Sequence, residues 1–303
     1  MTRVFWIALW AGLLCLGAGC GSDEGDGDGD AGTDAGPDSG GDVDTDTSDD
    51  PPDELGPAGR FTETIDVDGV ERTYVLYVPE SAVDAMGEEP VPILFAFHGA
   101  GDTGDSFIAA TGLEGTASNN AFVLVGPEGY NHGWFVQSDE GWPGADGYET
   151  SLENDLQLVL DVIEATNASY WLDRDMIYSV GHSRGAGFTG LLAILSGTYP
   201  ISSGTWESPC AAYGVNAGYD ATGGNVDPAG AEPKRPVWII HGTNDSVVPY
   251  SYGEDFYTAL DTAGWDVTFT PVDGAGHTWL WSSMWGQTDQ DLWDWFAANA
   301  IVP

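Results

Sequence analysis

Apolar runs and amphipathic stretches alternate along most of the chain. Runs typical of fully buried strands occupy residues 92–98, 121–125, 176–180, 211–215, 236–240 and 267–272. Helical periodicity predicts helices at 152–163, 185–195, 253–263 and 290–298. Strands that alternate with helices indicate βαβ units. We therefore predict an α/β fold with a mostly parallel central sheet flanked by helices.

The region before the first apolar run has a different period. Residues 61–67 and 70–78 alternate between apolar and polar positions, and Asp68-Gly69 between them is typical of a tight turn. This pattern predicts an antiparallel hairpin. Segments 131–150, 203–209 and 219–233 lack either period and are predicted to be long loops.

The first twenty residues have the features of an export signal. Arg3 is followed by an almost wholly apolar run from 4 to 16, which is short for a bilayer span; a single-pass anchor is the alternative. Small residues then precede Cys20, as in the lipobox of bacterial lipoproteins, although Gly17 stands where that pattern usually has leucine. We predict a cell-envelope lipoprotein acylated at Cys20, with plain secretion as the alternative.

Composition changes abruptly after the predicted signal. Residues 21–57 contain fourteen Asp or Glu, no Lys or Arg, and almost no apolar side chains. Such a segment cannot offset its ordering entropy by burying apolar surface, so we predict a disordered acidic tether. Residues 58–303 have the size and the aromatic content of one α/β catalytic domain.

Acidic residues far outnumber basic ones in the chain as a whole. There are 49 Asp and Glu against 7 Lys and Arg, which gives a net charge of −42. This charge repels phosphates and argues against nucleic acid as a partner. It also resembles the composition of proteins that work in high salt, where ions screen self-repulsion.

Cysteine usage adds one constraint. If Cys20 is acylated, Cys210 has no partner, so we expect no disulfide. Cys210 begins an apolar stretch and is expected to be a buried small hydrophobe rather than a reactive thiol. We expect a monomer whose only membrane contact is the N-terminal lipid.

The strongest motif is Gly181-His182-Ser183-Arg184-Gly185. An apolar strand precedes it and a helix rich in small residues follows it. A nucleophilic serine placed on such a strand-to-helix turn needs flanking glycines, because a Cβ at those positions would collide with the neighbouring strand or helix. The helix N-terminus then directs N–H groups towards a reacting carbonyl. Ser183 is the predicted nucleophile.

A serine of this kind is followed along the chain first by an acid and then by a histidine. His277 lies just after the last predicted strand and is the predicted base. His241 ends a strand and is interpreted as a packing residue. Asp245, which follows the strand 236–241, is the predicted acid; Asp273 and, more weakly, Asp220 are the competitors.

An oxyanion needs two donors. The N–H of Arg184, directly after the nucleophile, is predicted to be one. The N–H of Ala100, in the loop after strand 92–98, is predicted to be the other, with Gly101 as second choice. His98 at the end of that strand is interpreted as structural.

These motifs occur in a specific order. Residues 72–79 (RTYVLYVP), His98-Gly99, the serine motif, His241-Gly242-Thr243-Asn244-Asp245 and Gly276-His277-Thr278-Trp279 follow one another. Together they resemble the feruloyl and acetylxylan esterases and the polyhydroxybutyrate-depolymerase-type esterases, over essentially residues 60–300. The resemblance implies an α/β-hydrolase fold and carboxylic ester cleavage without a metal or organic cofactor. It also implies substrate contacts by Trp134 and Trp279.

The chain departs from that family at two positions. Ala186 stands where a second glycine is common, and Arg184 where a small or neutral residue is common. The expected substrate is a small-molecule or polymer-derived ester. Two other hypotheses stay open: a serine peptidase on the same fold, and a catalytically inactive surface-binding protein that keeps the scaffold.

Overall fold

The computed structural model describes residues 51–134 and 152–301. Its centre is an eight-stranded sheet with the order β1-β2-β4-β3-β5-β8-β9-β10. The strands are β1 (Gly59–Val67), β2 (Val70–Val78), β3 (Val91–Phe97), β4 (Val123–Pro127), β5 (Leu172–His182), β6 (Pro200–Ile201), β7 (Gly204–Thr205), β8 (Ala212–Asn216), β9 (Val237–Gly242) and β10 (Val267–Val272). β6 and β7 form a separate short hairpin.

Most of the sheet is parallel. β1 pairs antiparallel with β2, and β2 pairs antiparallel with β4. Every other pair, from β4 through β3, β5, β8 and β9 to β10, is parallel. The carboxyl ends of these parallel strands therefore meet along one edge of the sheet. This confirms the predicted α/β fold with a mostly parallel sheet.

Seven helices cover the sheet in the described part of the chain: α1 (Glu80–Ala85), α2 (Gly104–Ala110), α3 (Leu113–Asn120), α4 (Leu152–Asn167), α5 (Arg184–Ile194), α6 (Tyr250–Thr262) and α7 (Asp289–Ala297). One buried cluster includes residues of α4, α5 and α6, and a second includes residues of α2, α3 and α7. β3 and β5 contribute side chains to both clusters, as expected for strands that are covered on both faces.

The hairpin β1–β2 confirms the alternating pattern read from the sequence. Asp68 and Gly69 connect the strands with φ values of 53° and 84°. Two successive positive φ angles are typical of a type I′ turn, whose twist matches that of the flanking strands.

A buried ion pair joins the hairpin to α4. The Arg72 guanidinium lies 2.8 Å from Oδ1 of Asp155, and both side chains are almost completely buried. Arg72 also donates to Asn154 Oδ1 at 2.6 Å and to the carbonyl oxygen of Glu128. Because these donors meet acceptors inside the protein, the buried charge is compensated.

Three helices, one short hairpin and one boundary differ from the sequence predictions. α1, α2 and α3 are short and were not predicted, and β7 lies inside the predicted loop 203–209. Gly56 donates to the carbonyl oxygen of Ser169 and Tyr170 donates to that of Pro57, so the folded domain begins before residue 58. Cys20, the predicted signal, the tether up to residue 50 and most of the predicted loop 131–150 lie outside the described residues.

Candidate active site

Ser183 occupies a sharp turn between β5 and α5. Its φ and ψ are 56° and −117°, a backbone conformation that non-glycine residues rarely adopt and that costs of the order of 1–3 kcal/mol. A Cβ on Gly181 would lie 2.2 Å from the carbonyl oxygen of Gly185, and a Cβ on Gly185 would lie 2.1 Å from that of Phe97. The two glycines therefore allow the close approach of strands and helix that the sequence analysis predicted.

Asp245 and His277 meet at the same sheet edge. Asp245 follows β9, His277 follows β10, and His277 Nδ1 lies 2.7 Å from Asp245 Oδ2. The Asp245 side chain is completely buried, whereas the His277 side chain keeps 15% of its surface exposed. Because Nδ1 faces Asp245, the second ring nitrogen, Nε2, is left to contact another partner.

Both oxygens of Asp245 have defined partners. Oδ2 contacts His277, and Oδ1 accepts the N–H groups of Val247 and Val248, each at 2.9 Å. Hydrogen bonds from these N–H groups fix the orientation of the carboxylate. The loop after β9 thus holds the Asp245 side chain in place beside the imidazole.

The competing acids lie elsewhere. Asp273 is exposed and is 3.5 Å from the Thr243 hydroxyl. Asp220 accepts hydrogen bonds from Thr222 and from the N–H of Gly224, so it stabilises the loop in which it lies. In the structure the carboxylate against His277 is that of Asp245.

His241 packs behind this pair. It is completely buried, its Nε2 lies 3.0 Å from the Val248 carbonyl oxygen, and the same nitrogen is 3.4 Å from Asp245 Oδ2. Burial lowers the pKa of His241, which favours the neutral ring. The structure agrees with the interpretation of His241 as a packing residue.

The loop after β3 lies next to the serine. A Cβ on Gly99 would be 3.4 Å from Ser183 Cβ, so the Gly99–Ala100 segment borders the nucleophile turn. The N–H of Gly101 donates to the carbonyl oxygen of His132 at 2.8 Å, whereas within the described residues the N–H of Ala100 has no acceptor. The N–H of Ala100 is therefore a better candidate than that of Gly101 for a hydrogen-bond donor to the substrate.

His98 stabilises that loop. Its Nδ1 contacts the Gly99 carbonyl oxygen at 2.8 Å, and its Nε2 accepts from the N–H of Gly129 at 2.9 Å. The network requires the proton on Nδ1. His98 is completely buried, and burial lowers its pKa. The structure places His98 in a structural position, as the sequence analysis expected.

Trp134 is not at a substrate surface, which corrects the prediction. Its side chain is fully buried and stacks on Phe188, with ring centroids 5.0 Å apart, and meets Phe97 edge-on. Its Nε1 donates to the His98 carbonyl oxygen at 3.0 Å. An indole buried among aromatic rings and satisfied by a carbonyl packs the core.

Trp279 is partly exposed beside the second buried cluster. Its Nε1 donates to Asp289 at 2.8 Å, and its ring packs against Phe107 and Trp281. These contacts fix the indole at the start of α7. Contact with substrate stays a prediction for this residue.

A cleft of about 490 Å³ opens beside the Asp245 loop. Its wall includes Val247, Val248 and Tyr252 on one side and Tyr219 and Asp220 on the other. The Tyr219 ring lies against α5 one turn after Ser183, because a Cβ on Gly187 would be 3.3 Å from it. The sequence marked Asp220 only as a competing acid, and nothing in the spacing of Tyr219 and Tyr252 marks them as lining residues.

Within 51–134 and 152–301, no group of three or more His, Cys, Asp or Glu side chains could hold a metal ion. In the same ranges no helix combines the length and hydrophobicity that crossing a membrane requires.

The chain resembles known proteins in sequence and in fold. Residues 72–218 match the family model described as Esterase PHB depolymerase. No curated protein matches the sequence. A thermostable esterase is 20% identical, with a TM-score of 0.58; the match covers 80% of this chain, which spans 63% of the length of that protein.

Two other solved structures share the fold over nearly their whole length. A propionate-bound esterase from the Planctomycetes species Thermogutta terrifontis is 17% identical, with a TM-score of 0.56, over 79% of this chain and 94% of its own. A truncated carbohydrate esterase from gut microbiota is 16% identical, with a TM-score of 0.56, over 82% and 99%. At such identities the likeness shows the fold alone.

The sheet order, the serine turn and these likenesses show an α/β-hydrolase fold. Over residues 72–218, just under half of its length, the chain is also similar to esterases of the polyhydroxybutyrate-depolymerase type.

Proposed function

We propose that the protein hydrolyses carboxylic esters through an acyl-enzyme formed on Ser183. The observation that carries this proposal is the 2.7 Å contact between Asp245 Oδ2 and His277 Nδ1, beside a serine on a strained strand-to-helix turn. Asp245 fixes the tautomer of His277 with the proton on Nδ1, so that Nε2 can accept a proton. Among the described residues Ser183 and His277 share no hydrogen bond; such contacts often tighten only when substrate binds.

In the proposed reaction, Ser183 Oγ attacks the ester carbonyl carbon and its proton passes to His277 Nε2. The tetrahedral intermediate collapses, the C–O bond to the alcohol breaks, and the alcohol leaves with the proton from His277. Water then attacks the acyl-enzyme and gives its proton to His277. The C–Oγ bond breaks, the carboxylic acid is released, and Ser183 regains its proton. The N–H groups of Ala100 and Arg184 stabilise the oxyanion in both steps. No metal or organic cofactor enters this sequence.

We propose that the acyl group binds in the cleft beside the Asp245 loop, whose lining favours an uncharged ester. Its lining combines two tyrosines and two valines with the carboxylates of Asp220 and Asp255. Aromatic and aliphatic walls suit an aryl or short aliphatic acyl group, and carboxylates repel an anionic one. We therefore propose feruloyl, acetyl or 3-hydroxybutyryl esters, free or attached to a polymer, as the substrate class.

The test is a hydrolysis panel with purified protein and its Ser183→Ala variant. The panel compares methyl ferulate, acetylated xylan, p-nitrophenyl acetate, a 3-hydroxybutyrate oligomer and a p-nitroanilide peptide. We expect cleavage of at least one ester by the unmodified protein alone. Cleavage of the anilide in preference to every ester would favour the peptidase. Binding without any hydrolysis would favour the inactive scaffold.

We also propose that the esterase works outside the cytoplasm as a monomer. The apolar segment that ends at Cys20 and the acidic stretch after it support an N-terminal lipid anchor with a tether. The charge of −42 argues against nucleic acid as a partner. The anchor would be the sole membrane contact.

A further inference from the structure

Asn216, the last residue of β8, is completely buried between the Ser183 turn and the His277 loop. Its carbonyl oxygen accepts the N–H of Ser183 at 3.0 Å. Its side-chain Nδ2 donates to His182 Nδ1 at 2.6 Å and to the Thr278 carbonyl oxygen at 2.9 Å. Its Oδ1 accepts the N–H of Leu280 at 2.9 Å.

These contacts fix the orientation of the amide. An amide has two donor hydrogens on nitrogen and an acceptor oxygen, and here both donors and the acceptor are used. Turning it by 180° would set Oδ1 against the Thr278 carbonyl oxygen and Nδ2 against the Leu280 N–H. Both contacts would then be repulsive, so the geometry allows one assignment.

The assignment in turn fixes His182. Because Nδ1 of His182 accepts a hydrogen bond from Asn216, that nitrogen carries no proton and the neutral ring has its proton on Nε2. Burial, and secondarily the neighbouring His277, lowers the pKa of His182 to about 4, which agrees with the neutral ring. The charged or titratable groups that act on His182 are His277, Asp245 and Asp102.

His182 is also in contact with the predicted base. The centroids of its ring and the His277 ring are 4.7 Å apart, with an interplanar angle of 37°. Asn216 therefore reaches His277 by two routes: through the backbone of Thr278 and Leu280, and through the neutral His182 ring on which the imidazole lies.

We propose that Asn216 is a positioning residue that holds His277 at a fixed distance and tilt from Ser183. The proposal rests on the proposed function, because it concerns the same serine and histidine. Asn216 touches no reacting atom; it acts through His182 and the His277 loop. Displacement of a catalytic group by about 1 Å can lower a rate by roughly a hundredfold, so the loss of this link has a measurable effect.

The kinetic test compares Asn216→Ala with the unmodified protein on the best ester of the panel. We expect kcat to fall about tenfold to hundredfold while KM changes less than about threefold, since the cleft is untouched. Asn299→Ala is the matched control: Asn299 also donates from a partly buried amide, to the carbonyl oxygen of Trp295, but lies after α7. We expect that control to keep the unmodified kcat. An Asn216→Ala variant that keeps kcat within threefold would overturn the proposal.

A second variant keeps the test decisive if Asn216→Ala does not fold. Asn216→Asp has the same shape and can still accept from Leu280, but it cannot donate to His182 or Thr278. If Asn216→Ala does not fold, as judged by circular dichroism, Asn216→Asp decides by the same kcat and KM criteria.

A spectroscopic readout separates this proposal from the proposed function. Two-bond ¹H–¹⁵N spectra report the tautomer of each of the five histidines. In the unmodified protein we expect the Nε2–H form of His182 at pH 7, and a changed His182 and His277 signal in the variants. If neither the unmodified protein nor any variant cleaves an ester, the proposed function fails. The histidine spectra then still test whether Asn216 fixes the positions of His182 and His277. Unchanged His277 signals in a folded variant would contradict the positioning role.

Discussion

The Arg184 guanidinium donates from Nε to the carbonyl oxygen of Trp134 at 2.6 Å, and both residues are buried. The side chain that follows the candidate nucleophile thus holds the backbone at Trp134 in place. Arginine at this position departs from the pattern of similar esterases, and this contact gives it a structural reason. The backbone N–H of Arg184 keeps its place at the start of α5.

We expect Arg184→Met to lower the stability of the protein, whereas the backbone N–H at position 184 remains able to donate to the oxyanion. The change removes a buried charge-assisted hydrogen bond and leaves the Trp134 carbonyl oxygen without this donor, a loss of about 2–3 kcal/mol in the free energy of unfolding. Urea denaturation measures it. Arg174→Met is the matched control, because Arg174 pairs with Glu164 on the surface. Such pairs contribute about 0–1 kcal/mol, and equal losses in the two variants would contradict the anchor.

Removal of the nucleophile or of the base is expected to abolish almost all turnover. Ser183→Ala and His277→Ala should each lower kcat by roughly four to six orders of magnitude, and Asp245→Asn somewhat less. Steady-state kinetics on an aryl ester measures these losses. The control is Asp273→Asn, since Asp273 is exposed and contacts Thr243 rather than His277. A severe Asp273 variant with a mild Asp245 variant would reverse the assignment of the acid.

The parts of the fold that sequence predicted share a strong local signal. β3 and β9 are continuous apolar runs, and α4 has a clear apolar face, so their periods identify them. α3 has the sequence LEGTASNN, in which glycine and asparagine are weak helix formers. Such a helix forms because the sheet packs against Leu113 and Ala117, and a sequence pattern cannot show that contact.

The site was predictable only where chain order constrains it. The order of Ser183, Asp245 and His277 predicted which residues could meet, and the structure brings Asp245 against His277. Asn216 carries no such signal: a single asparagine at the end of a strand is unremarkable until its three-dimensional neighbours are known. For Trp134 the sequence suggested a substrate contact, but the structure buries the side chain. Aromatic residues near a motif more often pack in the core than line a cleft.

Stability is expected to decrease as the pH falls below about 6.5. Burial lowers the pKa values of His98, His182 and His241, that of His182 to about 4. Between about pH 6.5, where histidine titrates in unfolded chains, and pH 4, the unfolded state binds more protons, so the free energy of unfolding rises with pH. Each histidine contributes up to about 1.4 kcal/mol per pH unit.

The measurement is urea denaturation between pH 7.5 and 5, on the unmodified protein and on His182→Gln. Glutamine can accept from Asn216 but does not titrate, so we expect a smaller slope of stability against pH in the variant. Identical slopes would show that His182 does not contribute to the acid sensitivity.

Processing at Cys20 would anchor the protein to a membrane. Replacement of Cys20 by Ser removes the thiol that we propose is acylated, so we expect the variant to be released from membranes or to stay unprocessed. Fractionation and mass spectrometry of the mature N-terminus measure the outcome. An unmodified N-terminus at another residue of the unmodified protein would decide for plain secretion.

High salt is expected to stabilise the catalytic domain. Residues 58–303 hold 35 acidic and 6 basic residues, so like charges on a compact surface repel, and folding brings them closer together. The Debye length falls from about 30 Å at 0.01 M to about 3 Å at 1 M salt, so sodium chloride removes most of this repulsion. We therefore expect the melting temperature to rise from millimolar to molar salt, with activity retained.

Salt also strengthens hydrophobic burial in ordinary proteins, so a rise alone does not prove the electrostatic cause. The control replaces three exposed acids, Glu88, Glu89 and Asp261, by lysine. Each replacement changes the net charge by two, from −42 to −36 in all. If repulsion is the cause, this variant has a higher melting temperature than the unmodified protein in low salt and gains less from added salt. A melting temperature that is flat or falls with salt in the unmodified protein would refute the electrostatic account, because screening acts on every pair of like charges at once.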